Sequence, residues 1–218
     1  MSALNTFVST MRAEMENTLS TLSEELYAKA VELIETAEKQ GNRLHITGIG
    51  KPSHVSNYLA SLLSSTGTPT YYLHGTEAVH GSCGQLVAGD VVICISNSGE
   101  TSELKATAMA IRNNGCKIIA VTGNAESWLA KYADAHLLAH VDNEGGPLNR
   151  APRTSIMSET IVLQGLSVML QDRKNLTPQV YVRCHPGGAL GQLRENDIDY
   201  DVLYQEQTKF PGFVCPWS

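Results

Sequence analysis

The stretch that most constrains this chain lies over residues 90–105, where Val91, Val92, Ile93, Cys94 and Ile95 run without alternation into Ser96-Asn97-Ser98-Gly99-Glu100-Thr101. A continuous apolar run rich in β-branched residues suits a strand covered on both faces, the situation in a parallel sheet flanked by helices. Leu104, Ala106, Ala108, Met109 and Ile111 then continue as a helix. Strand, polar turn and helix together bring hydroxyls and unpaired helix N-terminal amides to one point. Such a point can cradle a phosphate without a cation. The same residues would also serve as an ordinary serine-rich helix cap, so the stretch alone leaves both readings open.

The rest of the chain repeats this pattern. Strands are expected from Leu44 to Ile49, Pro69 to Leu73, Lys117 to Val121 and Ala135 to Val141, with helices between them. Alternation of this kind predicts an α/β fold, a three-layer αβα sandwich with a central parallel sheet of about five strands. Its ligands belong at the carboxyl ends of the strands. Those ends carry the polar clusters: Gly48-Ile49-Gly50-Lys51-Pro52-Ser53-His54, His74 to Gly81, the serine-rich turn, and Thr122-Gly123-Asn124. The first is neither a dinucleotide fingerprint, since its third glycine is missing, nor a P-loop, since Lys51 stands too close to the glycines. Pro52 predicts a first helical turn there, with the helix running from about Val55 to Ser65.

Before the first strand, Leu4, Phe7, Val8, Met11, Met15, Leu19, Leu22, Leu26, Ala30, Leu33, Ile34 and Ala37 form one long amphipathic stripe that stops at Gly41. It reads as an arm over residues 1–40, packed either on its own body or on a second subunit. After the last strand, Asp142-Asn143-Glu144-Gly145-Gly146-Pro147 is a loop, and Thr154-Ser155 opens a helix through Leu170. A second hydroxyl pair therefore stands at a second helix start, and a phosphate is expected between it and the Ser96–Thr101 loop. Cys184-His185-Pro186-Gly187-Gly188-Ala189-Leu190-Gly191 reads as a turn whose histidine is a candidate acid or base. With a core over 41–192 and a tail over 193–218, the 218 residues read as a single domain.

Composition removes several functions. With 16 basic against 22 acidic residues, a net charge of −6 and no Lys/Arg cluster, nucleic acid is not an expected partner. No apolar stretch approaches the ~18 residues of a membrane span. The first twenty residues hold Arg12, Glu14 and Glu16 and do not read as a signal peptide. The five cysteines are odd in number and form no C-x-x-C pair, which argues against disulfides or a thiolate zinc site and for a reducing cytoplasm. His74, His80, Cys83 and His185 lack a standard metal-ligand spacing, so no metal is expected.

Five motifs occur together in order: Gly48-Ile49-Gly50-Lys51, Ser64-Ser65-Thr66-Gly67-Thr68-Pro69, Glu77-Ala78-Val79-His80-Gly81, Ser96-Asn97-Ser98-Gly99-Glu100, and His185 through Gly191. On these the chain resembles sugar isomerase (SIS) domains, and among them the arabinose-5-phosphate isomerases, over roughly residues 40 to 192. The resemblance implies the SIS fold and a catalytic set of Lys51, Glu103, Glu144 and His185. It also implies phosphate or substrate ligands at Ser96, Asn97, Ser98, Thr101, His80 and Thr154 or Ser155. Two positions depart from the family pattern. Pro52 replaces a small residue that is usually serine, which leaves Ser53 as the substitute ligand. Arg153 stands where an uncharged residue is usual and could read a different substrate or a second anion. Members of that family commonly continue into a pair of CBS modules, for which this chain is expected to be too short.

The implied chemistry is aldose–ketose isomerisation: a base removes the proton beside the carbonyl, and the resulting enediol takes it back on the neighbouring carbon. Glu144, on a glycine-flanked loop, is the expected base, with Glu103 the alternative. Lys51 would stabilise the enediolate and His185 would move the hydroxyl proton and open the ring. No cofactor is called for. The expected partners are a phosphorylated sugar and further copies of the chain in a tetramer, with His80 or His185 reaching a neighbour's site. A non-catalytic sugar-phosphate sensor on the same fold is the other reading, since it needs the phosphate loop but not the four chemical residues.

Overall fold

The computed structural model describes residues 2–191; the tail over 193–218, with Cys215, lies outside them. Five strands, β1 (Leu44–Gly48), β2 (Thr70–Tyr72), β3 (Val91–Ile95), β4 (Lys117–Thr122) and β5 (Ala135–Leu138), form one sheet in the order β2-β1-β3-β4-β5. Every neighbouring pair is parallel. The order reverses between β1 and β3, so the crevice at their carboxyl ends is the switch point where ligands of such sheets bind.

The unalternating strands are explained by two cores. Leu44, Ile46, Val91, Ile93, Ile95 and Val121 point to one face and pack on α2 (Glu24–Lys39), α3 (Lys51–Ser65) and α6 (Thr154–Arg173). Val92, Cys94, Ile118 and Ala120 point to the other, against α4 (Ser102–Asn113) and the short α5 (Trp128–Tyr132). Both faces are dry, so both sets of side chains are apolar. Across the first core the Tyr27 hydroxyl donates to the Val162 carbonyl in the middle of α6 at 3.0 Å. Gly165 admits the ring, since a Cβ there would stand 2.8 Å from Tyr27 Cζ.

At the amino ends of the strands lies a closed polar cluster. Asp90, fully buried, accepts from the Arg43 and Val87 amides, from the Arg43 guanidinium and from His45 Nε2 at 3.0 Å. Gln85 reaches His45 Nδ1 at 3.2 Å. Burial lowers the His45 pKa although Asp90 opposes it, so the pair is a neutral imidazole hydrogen-bonded to a carboxylate.

The expected single N-terminal helix is two. α1 (Ala3–Thr21) ends where Leu22 turns extended, and the Ser23 hydroxyl accepts from Leu26 N at 3.3 Å to start α2, with Glu24 and Glu25 in the first turn. Apolar spacing runs through the break because both helices present a stripe. The α1 stripe is also not what α1 buries: its buried residues are Glu14 and Thr18, while Leu4, Val8 and Leu19 are exposed. Other differences are local. α3 starts at Lys51 rather than near Val55, because Gly50, at φ 68°, turns the chain and Pro52 fits the first turn. β5 stops at Leu138, short of Val141. A helix the sequence did not suggest, α7 (Pro178–Cys184), precedes the His185 turn, capped by Thr177.

Candidate functional site

Beside the switch point, the turn after β3 is held by its own hydroxyls. Ser96 Oγ lies 3.1 Å from Thr101 Oγ1 and accepts from the Gly99 amide at 3.1 Å, and Ser98 Oγ accepts from the Glu100 amide. Gly99 sits at φ 65°, and a Cβ there would stand 2.5 Å from Ser127 Cβ, so glycine is required on both counts. Asn97 braces the loop sideways, its carbonyl accepting from Gly123 N at 2.8 Å. The Glu100 carboxylate accepts from Lys105 at 2.5 Å and from the Trp128 amide at 2.7 Å, which holds its pKa below the usual range. Glu103, exposed on the first turn of α4, is likewise lowered, by its own amide and by the Ser102 hydroxyl at 2.9 Å.

Across the crevice, the turn after β1 brings Gly48 against Pro52, where a Cβ would meet Pro52 Cβ at 2.9 Å. Lys51 is exposed, and its ammonium makes no hydrogen bond or ion pair among the described residues. Ser53 Oγ donates to the Gly50 carbonyl at 2.6 Å. The loop after β2 folds onto this turn: a Cβ on Gly75 would stand 2.9 Å from the Gly48 carbonyl oxygen, and Thr107 of α4 donates to the Gly75 carbonyl. That loop continues into a 3-10 turn ending at His80, which is exposed.

The loop after β5 is organised by a carboxylate. Glu144 Oε2 accepts from the Arg153 amide at 2.5 Å, and from the Ser155 amide and Thr154 Oγ1 at 3.3 Å each, so it caps the N-terminus of α6. Thr154 Oγ1 also donates to the Asn143 carbonyl. The hydroxyl pair assigned to phosphate is thus buried, Thr154 at 0% and Ser155 at 1% exposure, at a helix end already occupied by Glu144. Glu14 of α1 holds the loop from below, accepting from the Asp142 and Asn143 amides at 3.1 and 2.9 Å. Asn149, at φ 47°, accepts from the Glu144 amide at 2.6 Å. His140 bonds the Gly123 carbonyl through Nδ1 at 2.7 Å and Asp142 through Nε2 at 3.1 Å; with two acceptors to satisfy, it favours the imidazolium and its pKa is raised. Arg153 lays its guanidinium over Gly146.

Lys51, Ser53, the Ser96–Thr101 turn and Glu144 therefore all lie at the carboxyl ends of the strands, with Glu103 just inside α4. His185 follows α7, half-buried, its ring stacked on Tyr181 at 4.0 Å and Nδ1 on the Tyr181 carbonyl at 2.8 Å. Its recorded hydrogen bonds are local and tie it to none of the strand-end loops. No group of three or more His, Cys, Asp or Glu among the described residues is placed to hold a metal ion. No helix among them is long and apolar enough to cross a membrane. Glu14, Asn149 and His140 were not singled out from sequence. The signal for Glu14 was a carboxylate three residues after Met11 and one before Met15, inside an otherwise apolar stripe.

The chain is similar to several known proteins. An arabinose 5-phosphate isomerase KdsD of Francisella tularensis is 38% identical over 194 residues, 88% of this chain and 59% of its own length. The Escherichia coli K12 protein of that name is 40% identical over 156 residues, 70% of this chain and 48% of its own. The chain thus spans about half the length of these curated relatives. Among solved structures, E. coli CFT073 c3406 in complex with arabinose 5-phosphate superposes with a TM-score of 0.78 at 30% identity, covering 84% of this chain and 95% of that one. A Bacteroides fragilis protein does so with a TM-score of 0.75 at 32% identity, covering 86% and 99%. The SIS domain model matches residues 39–169, from the end of α2 to near the end of α6, and the chain belongs to the SIS domain family.

Proposed function

We propose that the protein is an aldose–ketose isomerase acting on arabinose 5-phosphate or a closely related phosphosugar, without a metal or other cofactor. The observation that carries the reading is the pairing, along one set of strand ends, of a neutral hydroxyl turn suited to a phosphate with an anchored carboxylate suited to a base, in a chain 38% identical to an arabinose 5-phosphate isomerase. Ser96, Asn97, Ser98 and Thr101 hold the phosphate, with Ser53 and His80 on the opposite lip. Glu144 takes the proton from the carbon beside the carbonyl and returns it to the neighbouring carbon. Glu144 is preferred over Glu103 because its position is set by three donors at a helix start, whereas Glu103 stands exposed. Thr154 and Ser155 act through Glu144 by orienting it. Lys51, a cation not engaged by the described residues, neutralises the enediolate, and His185 shuttles the hydroxyl proton from a neighbouring copy.

The assembly we propose is a cytoplasmic homotetramer of single-domain chains in which the exposed Leu4, Val8 and Leu19 of α1 are covered. A monomer in light scattering at micromolar concentration would remove it. The activity is tested by incubating the protein with arabinose 5-phosphate in deuterium oxide and following the substrate carbon by NMR. Deuterium entering that carbon with ketose formation is the expected result. Binding without any exchange would mark a sensor and overturn the reading.

A further inference from the structure

The Glu159 carboxylate has no part in the scheme above. Glu159 stands on α6 one helical turn beyond Ser155, on the face turned to the interior, and is 0% exposed. Neither of its oxygens has a hydrogen-bond partner among the described residues, and neither does the Ser155 hydroxyl a turn earlier. Its neighbour Ser158 is already engaged, accepting from Thr18 of α1 at 3.0 Å. An unpaired, buried carboxyl is far easier to keep neutral than ionised.

The charges around α6 single out one partner. On α1, Glu14 is taken up by the Asp142 and Asn143 amides. On α2, Tyr27 gives its hydroxyl to Val162, and Glu35 and Glu38 pair with Arg173 and Lys174 at the far end of the helix. On α3, Lys51 and His54 are exposed and Tyr58 accepts from Gln164. In the preceding loop Arg153 lies over Gly146, which leaves Glu144. Burial first, and the Glu144 charge second, push the Glu159 carboxyl up to about 8.

We propose that Glu159 is a positioning residue for Glu144, an uncharged acid beneath the α6 start that leaves Glu144 the one carboxylate held by that helix end, and that its ionisation unseats Glu144. The proposal rests on the reading of Glu144 as the base. With Glu159 neutral, the α6 amides and dipole serve a single anion. Once it loses its proton to solvent, a second carboxylate, this one fully buried, stands at the start of α6 and repels the first, and Glu144 is displaced from the Arg153 and Ser155 amides or takes up a proton. Either outcome removes the base. Stability follows the same sign: between the ordinary glutamate value, ~4.3, and the folded value, the unfolded chain loses this proton and the folded one keeps it, so stability falls across that window and levels off above it.

The test uses the full chain with carboxyl-labelled glutamate, the Glu159 resonance being assigned by its loss in Glu159→Gln. A midpoint near 8 that drops by ~1 pH unit in Glu144→Gln is expected. A midpoint in the ordinary glutamate range, or one that Glu144→Gln does not move, overturns the proposal. In kinetics, the alkaline fall of kcat should vanish in Glu159→Gln and persist in Glu159→Asp, and an identical fall in all three proteins also overturns it. Should Glu159→Gln not fold, Glu159→Asp supplies the assignment and the Glu144→Gln titration still decides. Full deuterium exchange by Glu144→Gln would instead sink the base reading, leaving the coupling between the two carboxyls to be judged by NMR alone.

Discussion

The two ends of the sheet treat polar groups in opposite ways. At the amino ends, Asp90, His45, Arg43 and Gln85 are bonded to one another until little capacity is left over. At the carboxyl ends, Thr47 Oγ1, Ser155 Oγ and both Glu159 oxygens lack partners among the described residues, and Lys51 is unengaged. Native interiors leave few polar atoms unsatisfied, so a concentration of them at one end marks where the chain has been shaped for something other than its own stability. One end is closed on itself; the other is where the phosphosugar is proposed to bind.

Four substitutions would break or sharpen that contrast. Glu144→Gln should lower turnover by ~10²–10⁴-fold with phosphosugar binding largely kept, as read by deuterium exchange against a binding titration. Asp90→Asn should do the reverse, costing ~3 kcal/mol in denaturant unfolding because it weakens a buried hub, while the strand-end loops keep their geometry. Asp90 is held below its ordinary pKa, so its contribution is present above the unfolded value, ~3.9, and is lost as pH falls through the folded one. The Asp90→Asn deficit should accordingly shrink in acid. Equal losses of turnover and stability in both variants would erase the distinction between the ends.

Gly99→Ala tests whether the hydroxyl turn is rigid by need. A Cβ at φ 65° and against Ser127 should cost ~2–3 kcal/mol and weaken inorganic phosphate binding, measured by calorimetry. The smallest effect is expected for His140→Gln. The imidazolium has a raised pKa, so what it contributes is present below the unfolded histidine value, ~6.5, and is lost as pH rises through the folded one. The Tm gap to wild type should be widest near pH 5.5 and close towards pH 9, and a gap independent of pH would refute the charged strap between the β4 and β5 loops.

Legibility in the sequence followed the range of the interactions. β3 and its turn could be read because their makers are neighbours: an apolar run, then Ser96, Gly99 and Thr101 bonded within five residues. The sheet class followed from repetition of that unit. The site's acidic half was not legible in the same way. Glu144 could be named by resemblance, but what sets its position comes from Arg153, Asn149 and, through Asn143, from Glu14 about 130 residues away in sequence. Spacing rules do not report on partners so distant, and the α1 stripe misled because it implied an apolar buried face where Glu14 and Thr18 do the burying. The break at Ser23 was missed for a related reason: a cap residue inside a continuing apolar period looks like a surface position.

The bond from the Tyr27 hydroxyl to the Val162 carbonyl has a mechanical meaning. It fixes α6 at a point about 12 Å along its axis from Thr154, at 1.5 Å per residue, while Gly165 lets the ring sit flush against the helix. The Arg173–Glu35 and Lys174–Glu38 pairs tie the far end of the same helix to α2. α6 is thus fastened to α2 at its middle and at its end, and its first two turns, which carry the amides that hold Glu144, project beyond the last of these fastenings.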